Sequence, residues 1–205
     1  MVRVHCLQPK IGFGSNCYLV EHSGRFAVVD PSVSFEELTA AYPDALDKID
    51  AVLVTHAHFD HILAINSYAQ KGIEIYVGEQ DGTSLSDSYY NCYLGFLGIE
   101  DGYYGQYVGL KDGDTVKLAG ADITVRDCPG HTKGAVYYRT HDCVFVGDTL
   151  FAGGGFGRTD LPGGDFDTLE KSLIKIITHE NDCVFYPGHG EPTELRQAIR
   201  DFSKN

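Results

Sequence analysis

Residues 50–61 constrain the fold most, because an apolar run leads without a break into four residues that can ligate a metal ion. The run Ala51–Val54 is typical of a strand that is buried on both faces. It is followed by His56, His58, Asp60 and His61. Three imidazoles and a carboxylate this close in sequence cannot all satisfy their lone pairs on one another. The pattern therefore favours a metal site over an ordinary solvated loop.

The composition indicates a globular chain that does not bind nucleic acid. The 205 residues are 43% hydrophobic, which suits one domain with a sizeable core, and the formal net charge of -13 repels phosphate backbones. No run approaches the roughly 18 apolar residues of a membrane span. Met1 leads almost at once into a strand-like segment, without the apolar core of an export signal. We therefore expect a single domain over residues 1–205, cytoplasmic, with neither membrane nor nucleic acid as a partner.

The cysteines indicate packing rather than chemistry. They are scattered without a C-x-x-C pair, and several fall in strand-like apolar runs: Cys6, Cys17, Cys92, Cys128, Cys143 and Cys183. A disulfide framework and a thiolate zinc site both lack support from this spacing. Only Cys128 lies near a candidate ligand in sequence, and we interpret it as a core residue.

Alternation and β-branched residues predict the strands, and apolar spacing with capping residues predicts the helices. The predicted strands are Val2–Cys6, Asn16–Glu21, Arg25–Val29, Ala51–Val54, Ile73–Val77, Thr115–Leu118, Ile123–Asp127, Ala135–Arg139, Cys143–Val146 and Cys183–Tyr186. The predicted helices are Phe35–Tyr42, a segment from Ile62 that ends at Gly72, Phe166–Ile177 and Glu194–Phe202. Ser34 is the expected N-cap of the first helix, and hairpin turns are expected at Ser23-Gly24 and around Gly120.

Residues 82–110 have no assignable secondary structure but are rich in aromatic side chains and glycine. The aromatic residues are Tyr89, Tyr90, Tyr93, Phe96, Tyr103, Tyr104 and Tyr107. One interpretation is an aromatic lid or pocket wall, since tyrosine combines apolar area with a polar tip. The other is an irregular surface loop or a subunit contact. The sequence leaves both open.

Three later strands also end in short glycine-containing turns that present a histidine or an aspartate. These turns are Gly130-His131, Gly147-Asp148 and Gly188-His189. The complete candidate set is therefore His56, His58, Asp60, His61, His131, Asp148 and His189. This set exceeds the needs of one tetrahedral ion, and two ions that share a carboxylate would employ all of it. The other histidines, which have no such company, are interpreted as surface or turn residues: His5, His22, His141 and His179.

With these motifs in this order, the chain resembles the metallo-β-lactamase superfamily over nearly its whole length. The resemblance implies an α/β (α+β) fold, the αββα sandwich of two mixed β-sheets flanked by helices. It also implies the metal ligands. His56, His58 and His131 would hold a first ion; Asp60, His61 and His189 would hold a second; Asp148 would bridge them.

The segment Gly157-Arg158-Thr159-Asp160-Leu161-Pro162 resembles the glyoxalase II-like branch, especially its short single-domain members. We expect no counterpart of the C-terminal helical domain with which full-length glyoxalase II holds glutathione. Lys133 stands where a proline is common, and Leu63-Ala64 replaces a usual glycine pair. A true β-lactamase is disfavoured, because Asp148 occupies a bridging position that would hold cysteine there and because no export signal is expected.

The resemblance implies a hydrolase that cleaves a small thioester of the S-lactoylglutathione kind by a metal-bridging hydroxide, which Asp60 would orient. The two divalent ions would be zinc, with iron or manganese as alternatives. Arg158 would bind a substrate carboxylate, or would instead pair with Asp160 and shape the loop. The first functional alternative is a persulfide dioxygenase with one iron on His56, His131 and Asp148. The second is a non-catalytic metal-binding module. The oligomeric state stays open.

Overall fold

The computed structural model describes residues 2–10, 12, 14–118, 121–180 and 183–202. The strands are β1 (Arg3–Leu7), β2 (Cys17–His22), β3 (Arg25–Val29), β4 (Ile49–Val54), β5 (Glu74–Gly78), β6 (Val108–Leu110), β7 (Thr115–Leu118), β8 (Ala121–Asp127), β9 (Val136–Arg139), β10 (Cys143–Gly147), β11 (Val184–Pro187) and β12 (Thr193–Glu194). The helices are α1 (Phe35–Ala41), α2 (Phe59–Ile62), α3 (Ile65–Ala69), α4 (Tyr93–Leu97), α5 (Phe166–His179) and α6 (Leu195–Phe202).

The strands form two mixed sheets of six strands each. The first sheet has the order β1-β2-β3-β4-β5-β6, and the second has the order β12-β11-β10-β9-β8-β7. The hairpin predicted at Ser23-Gly24 is confirmed, because β2 and β3 form an antiparallel pair. The strands β1 and β2 also form an antiparallel pair, whereas β3 to β6 pair in parallel. In the second sheet only β10 and β11 pair in parallel.

Three apolar clusters show that helices cover the outer face of each sheet. One cluster packs the first sheet against α1, α2 and α3, another lies between the sheets, and a third packs the second sheet against α5 and α6. Alternation along β4 explains why one strand serves two clusters. Val52 and Val54 face the helices, while Ala51 and Leu53 face the other sheet. The predicted αββα sandwich and the doubly buried strand are both confirmed.

The parallel pairing of β3, β4 and β5 places three strand ends at one edge of the first sheet. Val29 pairs with Leu53, and Val54 pairs with Val77, so the strands end nearly in register. The residues that follow such carboxyl ends meet in space and are a common place for a site. The turn that carries His56 and His58 follows β4 and therefore lies between the segments that follow β3 and β5.

Polar side chains cap the N-termini of α1 and α5, and the first of these caps was predicted from the sequence. The Glu37 backbone N–H donates to the Ser34 hydroxyl over 3.2 Å, which confirms Ser34 as the N-cap of α1. The Thr168 backbone N–H likewise donates to Asp165 over 2.8 Å at the start of α5.

The structure differs from the predicted elements around the histidine motif and in the aromatic segment. The helix expected from Ile62 is two short helices, α2 and α3, and α2 already begins at Phe59. Local apolar spacing cannot distinguish these two helices from one, because the break at Ala64 depends on a backbone bond from Ala64 N–H to Pro31 O of 2.9 Å. Neither α4, β6 nor β12 was predicted from the sequence. The expected turn around Gly120 lies outside the described residues.

All six cysteines are free. Five are buried, as the sequence predicts, but Cys6 is exposed on β1, so its interpretation as a core residue is wrong. Among the residues with described positions, no helix has the length and apolar character needed to cross a membrane.

The Tyr138 hydroxyl joins the two sheets directly beneath the histidine motif. Tyr138, on β9, is fully buried, and its hydroxyl donates to the carbonyl oxygen of Val54 over 2.9 Å. Val54 is the last residue of β4. This contact therefore ties the second sheet to the strand that leads into the site.

We expect Tyr138→Phe to lower the free energy of unfolding by about 1–3 kcal/mol, because it leaves a buried carbonyl without this donor. Urea denaturation followed by circular dichroism measures the change. Tyr104→Phe is the matched control, since Tyr104 is 71% exposed and its hydroxyl can bond water. Equal stability of the two variants would show that the contact contributes nothing.

Candidate metal centre

All seven ligands predicted from the sequence lie at one end of the two sheets. His56 and His58 lie in the turn after β4, and Asp60 and His61 lie on α2. His131 lies between β8 and β9, Asp148 directly follows β10, and His189 lies between β11 and β12. These seven residues come from four segments of the chain, and both sheets contribute. The fold thus converges side chains that are up to 133 positions apart in the sequence, from His56 to His189.

The ligands form three overlapping groups, each with ligand atoms within 4.8 Å of one another. The groups are His56, His58 and His131; Asp60, His61 and His189; and His56, His61 and Asp148. The first two groups coincide with the two triads that the resemblance implies. The third contains Asp148 and one histidine from each triad.

Asp148 lies between the two triads. Its Oδ2 atom is 3.6 Å from Nε2 of His131 and 3.6 Å from Nε2 of His189, and its Oδ1 atom is 3.3 Å from Nε2 of His61. One carboxylate therefore reaches members of both triads. This is the position that a carboxylate shared by two ions requires.

Buried nitrogen atoms without hydrogen-bond partners indicate that the cluster fits a metal ion. Nε2 of His56, of His58 and of His61 and Oδ1 of Asp148 are all buried with no hydrogen bond. Buried polar atoms are normally paired, because an unpaired one costs about 1–3 kcal/mol. Imidazole and carboxylate are donors that divalent transition metals accept. The fold and this His/Asp cluster together indicate a divalent-metal site.

Hydrogen bonds behind the cluster fix the orientation of two rings. Nδ1 of His61 donates to Oδ2 of Asp30 over 2.9 Å, and Nδ1 of His131 donates to the carbonyl oxygen of Arg158 over 2.7 Å. Because these acceptors cannot donate, each Nδ1 carries the proton. Nε2 of each ring then faces Asp148 in the cluster, and a hydrogen bond on the opposite nitrogen is the usual support for metal-binding histidines.

Asp30 is a buried carboxylate that also holds the backbone at the start of the motif. It accepts hydrogen bonds from the Thr55 backbone N–H and from the Thr55 hydroxyl, each over 2.8 Å. Its φ of 53° lies in the left-handed region, which aspartate tolerates better than most residues. Asp30 thus links the end of β3 to the residue before His56 and to the ring of His61.

The electrostatics of the cluster separate its histidines into two kinds. Burial lowers the pKa of His56 well below its ordinary value, and burial together with His131 lowers the pKa of His58 to about 3. Burial opposes protonation of His61 too, but Asp30 and the other carboxylates raise its pKa well above the ordinary value. The lowered pKa values favour the neutral form of His56 and His58, which is the form that ligates metals.

The carboxylates remain ionised for a related reason. Burial raises the pKa of Asp60 and of Asp148, but the neighbouring imidazoles, His61 first and His189 after it, together more than offset that effect, and the pKa of each lies below its usual range. The hydrogen bond from His189 to Asp60, 3.1 Å long, raises the pKa of His189. Anionic carboxylates and imidazoles therefore occupy the same small volume.

Gly188 lets the backbone before His189 approach the centre. A Cβ atom at this position would lie 2.2 Å from Oδ1 of Asp148 and 2.6 Å from Cε1 of His61. Any other residue would displace one of these ligands. The glycine in the Gly188-His189 turn therefore has a steric role at the site.

A cavity of about 450 Å³ opens onto the cluster. Five of the candidate ligands line it: His58, Asp60, His131, Asp148 and His189. Much of the remaining wall is apolar and is formed by Phe59, Cys92, Phe96, Phe151 and Leu161. The cavity therefore combines a polar floor with largely apolar sides, which is typical of a small-molecule site.

The aromatic segment contributes part of this wall. The Phe59 ring contacts the rings of Tyr93 and Phe96 at centroid distances of 5.5 and 5.6 Å, and the Phe59 backbone N–H donates to Asn91. Tyr104, by contrast, is 71% exposed. Each of the two interpretations thus describes a part of the segment: α4 is a pocket wall, and other aromatic residues lie at the surface.

Arg158 lies at the rim of the cavity, with its guanidinium group engaged. Its Nε and Nη2 atoms donate to the two carboxylate oxygens of Asp160 over 2.7 and 2.6 Å. This pairing lowers the pKa of Asp160 to about 2. The guanidinium also lies over the Phe96 ring, 5.8 Å from its centroid. The loop-shaping contact that the sequence offered as an alternative is therefore present.

Sequence reasoning missed residues that support or complete the site. Neither Asp30 nor Asp81 is singled out from the sequence, and Cys92 lines the cavity although only Cys128 lies near a candidate ligand in sequence. Asp30 and Asp81 follow the strands on either side of β4. That β3, β4 and β5 are parallel neighbours is the signal that would have pointed to them. The four histidines set aside from the sequence lie outside the three ligand groups found in the described residues.

Comparisons with known proteins agree with this geometry. Residues 11–189 match the family described as the Metallo-beta-lactamase superfamily. The hydroxyacylglutathione hydrolase GloC of Haemophilus influenzae is 31% identical over 198 residues, which cover 94% of this chain and 93% of that protein.

Two solved structures are also similar. The B3 metallo-beta-lactamase BLEG-1 superposes with a TM-score of 0.85 at 27% identity, over 98% of this chain and 97% of that one. The di-iron-bound form of TTHA1623 superposes with a TM-score of 0.79 at 28% identity, over 97% and 98%. The sequence match, the sandwich of two mixed sheets and the clustered ligands lead to one conclusion: this chain belongs to the metallo-beta-lactamase superfamily.

Proposed function

We propose that this protein is a metal-dependent hydrolase that cleaves a small acyl-thioester, in the manner of glyoxalase II. The observation that carries the proposal is the pair of triads with Asp148 between them, whose buried nitrogen atoms lack hydrogen bonds. The similarity to a hydroxyacylglutathione hydrolase supports the thioester as substrate. A hydrolase is also the function that the family membership favours.

We assign the ligands to two ions. His56, His58 and His131 would hold the first, and Asp60, His61 and His189 would hold the second. Asp148 would be available to both, because its two oxygen atoms approach histidines of both triads. Zinc fits this set of nitrogen and oxygen donors; iron and manganese fit it as well.

When bound, such a pair of ions would lower the pKa of a water molecule from about 15.7 to about 7 and stabilise an oxyanion at the substrate carbonyl. Asp60 lines the cavity, and its carboxylate is ionised. We assign it the role of accepting a hydrogen bond from the attacking water and so orienting it. Its partner His189 holds the carboxylate in place.

The cavity wall determines which part of a substrate it can hold. Phe59, Phe96 and Phe151 offer apolar surface to the uncharged part of a thioester. Arg158 is the cationic residue of this cavity wall, and a substrate carboxylate would have to compete with Asp160 for it. We assign Arg158 to substrate binding through this exchange of partners.

We expect two divalent ions per chain and hydrolysis of a thioester by the same sample. Elemental analysis after reconstitution counts the ions. A substrate panel of S-lactoylglutathione, an acyl-coenzyme A and the β-lactam nitrocefin identifies the bond that is cleaved. Preference for nitrocefin would refute the thioesterase. One iron per chain with oxygen uptake on glutathione persulfide would favour the dioxygenase, and bound metal with no turnover of any substrate would favour a binding module.

Asp60→Asn tests the role of Asp60 in orienting water. We expect kcat to fall by about 100-fold, the lower end of what a positioned acid–base group contributes, while the first triad still binds its ion. Steady-state kinetics and metal analysis on one sample measure both. Asp44→Asn, an exposed site with the same change of charge, is the control. An unchanged kcat would remove Asp60 from the mechanism.

Arg158 and Asp160 give a paired test of substrate binding. We expect Arg158→Ala to raise KM for carboxylate-bearing thioesters by roughly 10- to 100-fold, since a charged hydrogen bond contributes about 1.5–3 kcal/mol, with kcat nearly constant. Asp160→Asn frees the guanidinium and should lower the same KM. The KM for neutral thioesters is the control, because these substrates have no carboxylate for Arg158 to bind. Equal effects on neutral and anionic substrates would reduce Arg158 to a loop-shaping residue.

A further inference from the structure

Asp81 is a buried carboxylate outside the ligand groups. It ends the short 3₁₀ turn Glu79–Asp81 after β5 and is 1% exposed. Burial raises its pKa, which is the expected cost of removing a carboxylate from water. A carboxylate in such a place must be compensated by hydrogen bonds, and its donors reveal what it holds.

The donors to Asp81 come from the turns that carry the first triad. Oδ2 accepts from the Ala57 backbone N–H over 3.1 Å and from the Thr132 hydroxyl over 2.7 Å. Oδ1 accepts from the Gly134 backbone N–H over 2.8 Å. Ala57 lies between His56 and His58, and Thr132 directly follows His131. One carboxylate thus joins a turn of the first sheet to a turn of the second.

Gly134 shows how closely these segments approach. A Cβ atom at Gly134 would lie 2.2 Å from the backbone nitrogen of Asp81 and 2.8 Å from its Oδ1. The hydrogen bond from Gly134 to Asp81 therefore requires a residue without a Cβ atom at position 134. Val136 N–H also donates to Thr55 O over 2.9 Å, so the same two segments keep a backbone link that does not involve Asp81.

We propose that Asp81 is a positioning residue that sets the spacing of His56, His58 and His131 by tying their two turns together. Nδ1 of His58 and Nε2 of His131 are 2.9 Å apart, and their rings are 4.5 Å apart between centroids. The hydrogen bond from His131 to Arg158 orients one ring but does not connect the two turns. The inference rests on the proposed metal site.

Asp30 provides a built-in comparison. It holds His61, of the second triad, whereas Asp81 holds the turns of the first triad. The two carboxylates follow different strands and accept their hydrogen bonds from different donors. Loss of Asp81 should therefore weaken the first ion selectively.

The experiment compares Asp81→Asn, Thr132→Val and Thr132→Ser in the full chain. In Asp81→Asn one carboxylate oxygen is replaced by an NH₂ group, which faces a donor and cannot accept its hydrogen bond. Thr132→Val removes the hydroxyl but keeps the shape of the side chain. We expect both to weaken Co²⁺ binding at one of two sites by about 10- to 100-fold and to change the visible Co²⁺ spectrum. Thr132→Ser keeps the hydroxyl and should retain the unmutated affinity. Competition with a chelator measures the affinities.

Glu180→Gln is the matched control. Glu180 is also a buried carboxylate with two side-chain donors, Tyr137 and Arg139, but it lies away from the ligand turns in sequence and contacts. We expect this variant to lose stability without a change in Co²⁺ affinity. Equal weakening by Glu180→Gln would reduce the effect of Asp81 to general destabilisation and overturn the inference.

The remaining outcomes are also decisive. Folded Asp81→Asn with unmutated affinity and spectrum overturns the inference but leaves the metal site standing. Absence of Co²⁺ binding by the unmutated protein overturns the metal site and this inference together. If Asp81→Asn does not fold, the Thr132 pair decides: weak binding by valine with rescue by serine supports the link, and equal binding by both variants rejects it.

Discussion

Buried imidazole nitrogen atoms without hydrogen bonds are the constraint on which the rest of the site depends. His56, His58 and His61 each present such an atom. Left alone, these rings would turn toward water or toward another partner, because each unpaired atom costs about 1–3 kcal/mol. The surrounding fold must therefore hold the rings against their own preference, and much of the polar structure behind the cluster serves that purpose.

Two buried carboxylates provide most of that restraint from the first sheet. Asp30 follows β3 and Asp81 follows β5, while the histidine motif follows β4 between them. Each carboxylate accepts backbone and side-chain hydrogen bonds, so it fixes a turn rather than a single ring. The parallel order of three strands thus places an acidic support on each side of the ligands. This arrangement is a consequence of sheet topology, since neither aspartate is near the motif in sequence.

The sequence predicts the ligands better than their supports. His56, His58, Asp60 and His61 are recognisable because they are contiguous with a buried strand, and His131, Asp148 and His189 because each follows glycine at a strand end. The αββα sandwich follows from the family resemblance, with which the strand pattern is compatible. Asp30 and Asp81 escape notice because their role depends on which strands are neighbours, and sequence periodicity does not give that order.

The aromatic segment, residues 82–110, is a second part of the structure that the sequence does not predict. Tyr93 and Phe96 form wall structure because they pack on Phe59, a residue inside the metal motif. Glycine and tyrosine together have no helical or alternating period, so local preference predicts neither α4 nor the buried positions. Contacts with residues far away in the sequence determine both the helix α4 and which of its side chains are buried. Segment length and composition alone leave lid, wall and surface loop equally open.

The division of the ligands between the two sheets has a consequence for stability. His56 and His58 extend from the first sheet and His131 from the second, so an ion held by all three would act as a cross-link between the layers. The unfolded chain does not preserve that geometry. Binding to the native state alone stabilises it by about 4 kcal/mol when the free ion is at a thousand times its Kd. Metal supply would then govern the lifetime of the folded protein as well as its chemistry, and a chelator would act on both.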